Sequence, residues 1–190
     1  MTEVAWGRWV PSILTVLLFA QEAYAGRLRR ADAQARDQGS LYVFWTLTAL
    51  GYATAFSLWS SGRPPGPQLP EWTLWAGAAI ATAGIGLRFW SVRTLGRYFT
   101  YVVKVADGQP VVEAGPYRLL RHPSYAGMLV TGIGMGLALR YALAPLIIVV
   151  PQMLGMIVRI RVEERALADA IGEPYRAYMR RTKRIVPFVW

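Results

Sequence analysis

The chain has no cysteine. That excludes disulfides, thiolate zinc sites and cysteine nucleophiles. Histidine occurs once, at His122, so a metal reading would have to combine it with carboxylates. Glu163 and Glu164 are the close pair of acids near an apolar run. A lone histidine more often hydrogen-bonds or caps a helix than binds metal. Acids are scarce, 11 against 21 lysines and arginines, for a net charge of +10. In a soluble protein that balance would suggest nucleic acid. Here the charges fall between apolar runs and in the C-terminal tail, which suits membrane topology and anionic headgroups and argues against a nucleic-acid partner. No internal repeat of solenoid length is visible.

Apolar residues, by contrast, are abundant. Hydrophobic residues make up 54% of the 190, with eight Trp and ten Tyr. Such a composition indicates a polytopic membrane protein. Five apolar runs stand out, at residues 9–25, 41–59, 72–90, 123–139 and 142–158. The expected architecture is all-α, one domain over residues 1–190, with about five transmembrane helices and a cytoplasmic helical tail.

The first run ends in Ala23-Tyr24-Ala25, which resembles a signal-peptidase site. Arg27, Arg29 and Arg30 follow at once and resist translocation. Gln21 and Glu22 suit a helix packed on neighbours. These features favour a retained helix over a cleaved signal. In the third run, Arg88 lies near the end, where a long side chain can snorkel. Residues 98–103 read as extended, with a turn at Asp107-Gly108. The last two runs are separated by Arg140 and Tyr141, a tight helical hairpin. Beyond Val158 the chain should form a helix, a break near Gly172 and a second helix at the membrane surface.

Basic residues alternate between the loops. Loop one holds Arg27, Arg29, Arg30 and Arg36; loop two holds Arg63; loop three holds five; loop four holds Arg140; the tail holds eight. Five spans with the N-terminus outside and the C-terminus cytoplasmic satisfy the positive-inside rule. The run Gly132-Ile133-Gly134-Met135-Gly136 imitates a nucleotide-binding loop. Inside an apolar run, its small residues favour close helix packing instead. The same holds for Gly84 and Gly86.

Two places carry chemistry. The first is Gly115 to Gly127, where His122 precedes Pro123. Proline suits the first helical turn because its missing N–H would be unpaired there. The turn beginning with Ser124 and Tyr125 can receive an anion. The second is Arg159 to Glu164, leaving the membrane on the same side. Arg159 and Glu163 share a helix face. They could be no more than a surface ion pair, worth little by itself. The hairpin brings the two places together.

In this order the motifs resemble the isoprenylcysteine carboxyl methyltransferase family, within the membrane methyltransferases that include phospholipid N-methyltransferases. The matching residues are Gly115-x-Tyr117, Arg121-His122-Pro123-Ser124-Tyr125-x-Gly127, Arg159-x-x-x-Glu163-Glu164, Gly172-Glu173-x-Tyr175-x-x-Tyr178 and Arg184-Ile185-Val186-Pro187-Phe188. They cover about the last half, from Gly96 onward.

The resemblance implies S-adenosylmethionine as methyl donor, contacted by Tyr117, His122, Pro123, Ser124, Tyr125 and Glu163. It implies that Gln109, Pro110, Val111 and Val112 line the pocket, and that Arg159 faces an acceptor carboxylate. Lys104 is the nearest match to a polar residue the family places upstream. The chemistry is consistent: aromatic faces and a carboxylate suit a sulfonium. A carboxylate acceptor is already ionised and needs no base, so an arginine to orient it suffices. A phenol acceptor would need a base, for which Glu163 and Glu164 are the candidates. The implied acceptor is lipophilic, either prenylated cysteine or a small isoprenoid or phenolic lipid. A phospholipid N-methyltransferase and a non-enzymatic transporter or assembly factor are the competing readings.

Overall fold

A computed structural model describes residues 9–27, 39–63, 65–99 and 110–186. Lys104, Gln109, the turn at Asp107-Gly108 and the closing Pro187-Phe188 lie outside the described residues, as does most of the extended stretch 98–103. Each apolar run is a helix. These are α1 (Val10–Arg27), α2 (Ser40–Ser60), α3 (Trp72–Leu95), α4 (Pro123–Ala138) and α5 (Ala144–Ile171), followed by α6 (Glu173–Arg181). Among the described residues there is no strand, only isolated bridges.

Two helices, Ser40–Ser60 and Ala144–Ile171, are long and apolar enough by length and composition to cross a membrane. The described apolar part of α1 is shorter, Val10–Ala23, and α4 has 16 residues. The helices carry their apolar residues on the outside as well. On α5, Leu146, Val150, Leu154 and Val158 are exposed at four-residue spacing. On its inner side Ile148, Gln152, Met156 and Arg159 are buried. A helix apolar on both sides needs a buried or a lipid environment.

Small residues set the helix spacing. A Cβ at Gly84 of α3 would lie 2.5 Å from Thr131 N of α4, and one at Gly127 of α4 would lie 2.7 Å from Arg88 N. The two backbones therefore touch, which lipid-embedded helices achieve with small side chains. Gly134 and Gly136 likewise face close neighbours, whereas Gly86 faces none within 4 Å. So packing explains Gly84 but not Gly86. On the other flank, a Cβ at Gly155 of α5 would meet Phe44 Cα of α2 at 2.8 Å.

Three sequence expectations change. Tyr98 is not extended: it ends a 3-10 turn, Gly96–Tyr98, closed by the Phe99 N–H bonding to Gly96 O at 3.1 Å. Gly96, at φ 51°, turns the chain off α3 and starts that turn. The charged segment after Val158 is helical as expected, but it continues the last apolar run, α5 being unbroken from Ala144 to Ile171. The break does fall at Gly172, whose φ of 77° a residue with a side chain rarely adopts. Arg88 does not snorkel; it is buried. Gln21 and Glu22 pack on α3, Gln21 Nε2 donating to Ile85 O at 3.0 Å and Glu22 pairing with Arg88.

Candidate active site

α4 begins where the sequence places it, with Pro123 at its first position and His122 before it. The His122 side chain makes no cap bond. The C-terminal segment holds this start in place. Arg121 N–H bonds to Lys183 O at 2.7 Å and His122 N–H to Arg184 O at 2.9 Å. Tyr178 OH donates to Tyr117 O at 2.7 Å, a bond shared with Leu120 O at 3.2 Å. The motif from Gly115 and the tail are thus one built unit.

Glu164 is the charged centre of that unit. It accepts from Arg121 Nε at 2.8 Å and from Arg184 Nε at 2.9 Å. His122 Nε2 stands 3.4 Å away, buried and without a well-formed hydrogen bond. Burial alone would raise the Glu164 carboxyl, but His122 and Arg121 outweigh it and hold it at about 2. The phenols of Tyr117, Tyr175 and Tyr178 are all pushed well up, chiefly by burial. For Tyr117 and Tyr175 the negative charge of Glu163 adds to this. They are neutral hydrogen-bonding groups here, not bases.

Between α4, α5 and the tail lies an open cavity of about 1060 Å³, its mouth included. Of the residues singled out from the sequence, Pro110, Val111, Val112, Tyr117, His122, Ser124, Tyr125, Arg159 and Glu163 line it. Pro123 is buried behind them, and Glu164 is turned to Arg121 and Arg184. Arg121, Tyr175 and Tyr178 of the quoted motifs line it too, and sequence reading missed the walls from α2 and α3. α2 contributes Leu41, Phe44 and Trp45, and α3 contributes Arg88.

Arg159 is 1% exposed, so its pair with Glu163 is not a surface ion pair. Its Nε is 4.0 Å from Glu163 Oε2, and Tyr125 fills the gap. Tyr125 OH donates to Glu163 Oε2 at 2.9 Å and accepts from Arg159 Nε at 3.3 Å. Arg159 Nη1 donates to Ser40 Oγ at 2.9 Å. The contact of Gly155 with Phe44 sets this register. One turn further along the antiparallel pair, Arg159 meets Ser40. The Tyr125 ring packs against Phe44, centroids 5.9 Å apart, and against His122 at 5.7 Å.

The isoprenylcysteine carboxyl methyltransferase (ICMT) family profile matches residues 77–169. Protein-S-isoprenylcysteine O-methyltransferase A of Arabidopsis thaliana is 30% identical over 145 residues, covering 75% of this chain and 71% of that one. This chain belongs to the isoprenylcysteine carboxyl methyltransferase family. The B enzyme of Arabidopsis thaliana is 31% identical over 127 residues, 66% of this chain and 64% of its own length. The chain thus spans somewhat less than two thirds of that relative.

A solved structure, that of the eukaryotic intramembrane Ras methyltransferase ICMT, superposes with a TM-score of 0.59 at 23% identity. It covers 76% of this chain and 52% of that one. The architecture is therefore the ICMT-like membrane fold. The family match reaches back into α3, further than the motifs from Gly96 onward, and ends before Gly172.

Proposed function

We propose that this chain is an integral membrane methyltransferase that moves a methyl group from S-adenosylmethionine to the carboxylate of a lipophilic, isoprenylcysteine-like acceptor. The observation that carries this reading is the Arg159–Tyr125–Glu163 chain along one cavity wall. It joins a buried guanidinium to a carboxylate through a phenol.

The cavity suits the donor molecule. His122 lines the cavity, with its Nε2 buried 3.4 Å from Glu164 Oε1. Tyr117, Tyr175 and Tyr178 supply aromatic faces and neutral hydroxyls. Pro110, Val111 and Val112 border the cavity on the loop side. When bound, S-adenosylmethionine supplies an electrophilic methyl group on a cationic sulfur. Glu163 puts negative charge where a cation can be held. The first turn of α4 and His122 suit its amino-acid carboxylate.

Arg159 orients the acceptor. A carboxylate arrives ionised, so no side chain has to remove a proton from it. A planar guanidinium fixes it with two parallel hydrogen bonds. Positioning then supplies much of the rate. Leu41, Phe44 and Trp45 of α2 give the apolar surface on which a lipid tail can lie. Charge alternation between loops supports five spans, an outside N-terminus and a cytoplasmic site.

The test is calorimetric titration of the solubilised chain with S-adenosylmethionine, followed by labelled methyl transfer. An S-prenylated cysteine with a free carboxylate should gain a base-labile methyl ester. Absence of saturable binding overturns the methyltransferase reading. Transfer only to phenols or to phospholipid amines overturns the carboxylate acceptor.

A further inference from the structure

Arg88 joins three helices at the cavity. Its side chain is 3% exposed. Nε donates to Glu22 Oε1 at 2.7 Å and Nη2 donates to Glu22 Oε2 at 2.8 Å, both on α1. Nη1 donates to Ser124 Oγ at 2.8 Å, in the first turn of α4. The two-pronged bond to Glu22 fixes the plane of the guanidinium. The contact of Gly127 with the Arg88 backbone brings α4 close enough for the third bond.

Donor and acceptor roles then follow. Arginine has only donors, and a hydroxyl has one hydrogen to give. Because Ser124 Oγ accepts from Arg88, its own hydrogen points elsewhere. Among the described residues no acceptor receives it. Ser124 is 8% exposed and lines the cavity beside His122, whose Nε2 is buried 3.4 Å from Glu164 Oε1. Pro123 has no N–H, and the Tyr125 and Ala126 N–H groups are taken by His122 O. A group that settles at this corner can accept the Ser124 hydrogen.

We propose that Arg88, clamped by Glu22, is a positioning residue that makes Ser124 a fixed hydrogen-bond donor to the amino-acid carboxylate of the methyl donor. This rests on the reading of the cavity as an S-adenosylmethionine site. A carboxylate accepts several hydrogen bonds and donates none. The positive end of the α4 dipole favours its charge. The sulfonium is better held near Glu163 than beside a guanidinium. α1, which precedes the family-matched residues 77–169, thereby becomes part of the site.

The test compares calorimetric binding of S-adenosylmethionine with that of its decarboxylated analogue, which keeps sulfonium and nucleoside but lacks the carboxylate. Ser124→Ala in the full chain should weaken S-adenosylmethionine about tenfold and leave the analogue unchanged. Arg88→Met alone strands the Glu22 charge, so the charge-balanced pair Glu22→Gln/Arg88→Met is used with it. That pair should show the same selective loss. Adding Ser124→Ala to it should cost nothing more, because both act through one hydrogen bond.

Equal weakening of both ligands, or losses that multiply, would mean that Arg88 only braces the helices. Unchanged binding in Ser124→Ala would overturn the donor role even if the paired variant fails to fold. Wild-type chain that binds neither ligand overturns the methyltransferase reading itself, a result distinct from the others.

Discussion

Tyr125 OH donates to Glu163 Oε2 at 2.9 Å while it accepts from Arg159 at 3.3 Å. Removing that one oxygen breaks both hydrogen bonds and leaves only the direct 4.0 Å pair of Arg159 with Glu163, without emptying the space. Tyr125→Phe should keep its ring contacts with Phe44 and His122 and fold normally. Hydrogen bonds to charged groups contribute about 1.5–3 kcal/mol. Methyl-transfer kcat/KM should therefore fall about tenfold or more. A variant with wild-type kinetics would show that the chain is structural only.

Arg159→Lys keeps the charge and loses the planar fork. Transfer to a carboxylate acceptor should drop about 10- to 100-fold, with S-adenosylmethionine affinity changed much less. Competition assays with carboxylate, phenol and amine acceptors check this. Carboxylate methylation that survives intact removes Arg159 from acceptor binding.

Glu164 is held at about 2, below its ordinary 4.5. A lowered carboxyl contributes stability that is fully present above its unfolded value and is lost as pH falls through the folded one. Docking of α6 and the segment 182–186 should therefore loosen between about pH 4.5 and 2. Hydrogen exchange of α6 amides reads this directly. Glu164→Gln should loosen the tail at neutral pH and flatten the acid dependence.

Gly84 and Gly86 should differ sharply although they sit two apart. Gly84→Leu drives a side chain into Thr131 and Gly127 of α4. Overpacking of this kind costs about 1–3 kcal/mol or more, and the melting temperature should fall. Gly86→Ala meets nothing within 4 Å. It should be neutral or gain up to about 1 kcal/mol from better helix propensity. Thermal unfolding of both variants in one detergent separates them.

Much of this was legible in the chain. Apolar run length marks the helices, and the proline after His122 marks where α4 starts. The charge scarcity inside the runs marks the membrane class. The Arg159–Glu163 spacing placed both groups on one face. Spacing could not reveal that Tyr125, 34 residues earlier, lies between them. Arg88 was read as reaching outward, because a lone arginine near the end of a run has no visible partner. Its partner Glu22 is 66 residues away, on another helix. Glu163 and Glu164 look equivalent as neighbours. The helix turns them apart, one to the cavity and one to Arg121 and Arg184.

The sequence by itself determined the helical class, the proline-started α4, the break at Gly172 and the family motifs. Each follows from local rules: apolar periodicity, the missing proline N–H, the left-handed freedom of glycine. Tertiary structure alone decided which charges are buried and with whom. That choice depends on backbone approach at Gly84, Gly127 and Gly155, which sets the register of facing helices to within one turn. A buried guanidinium must find its partners across such contacts. Arg88 found Glu22 and Ser124, and Arg159 found Ser40 and Tyr125.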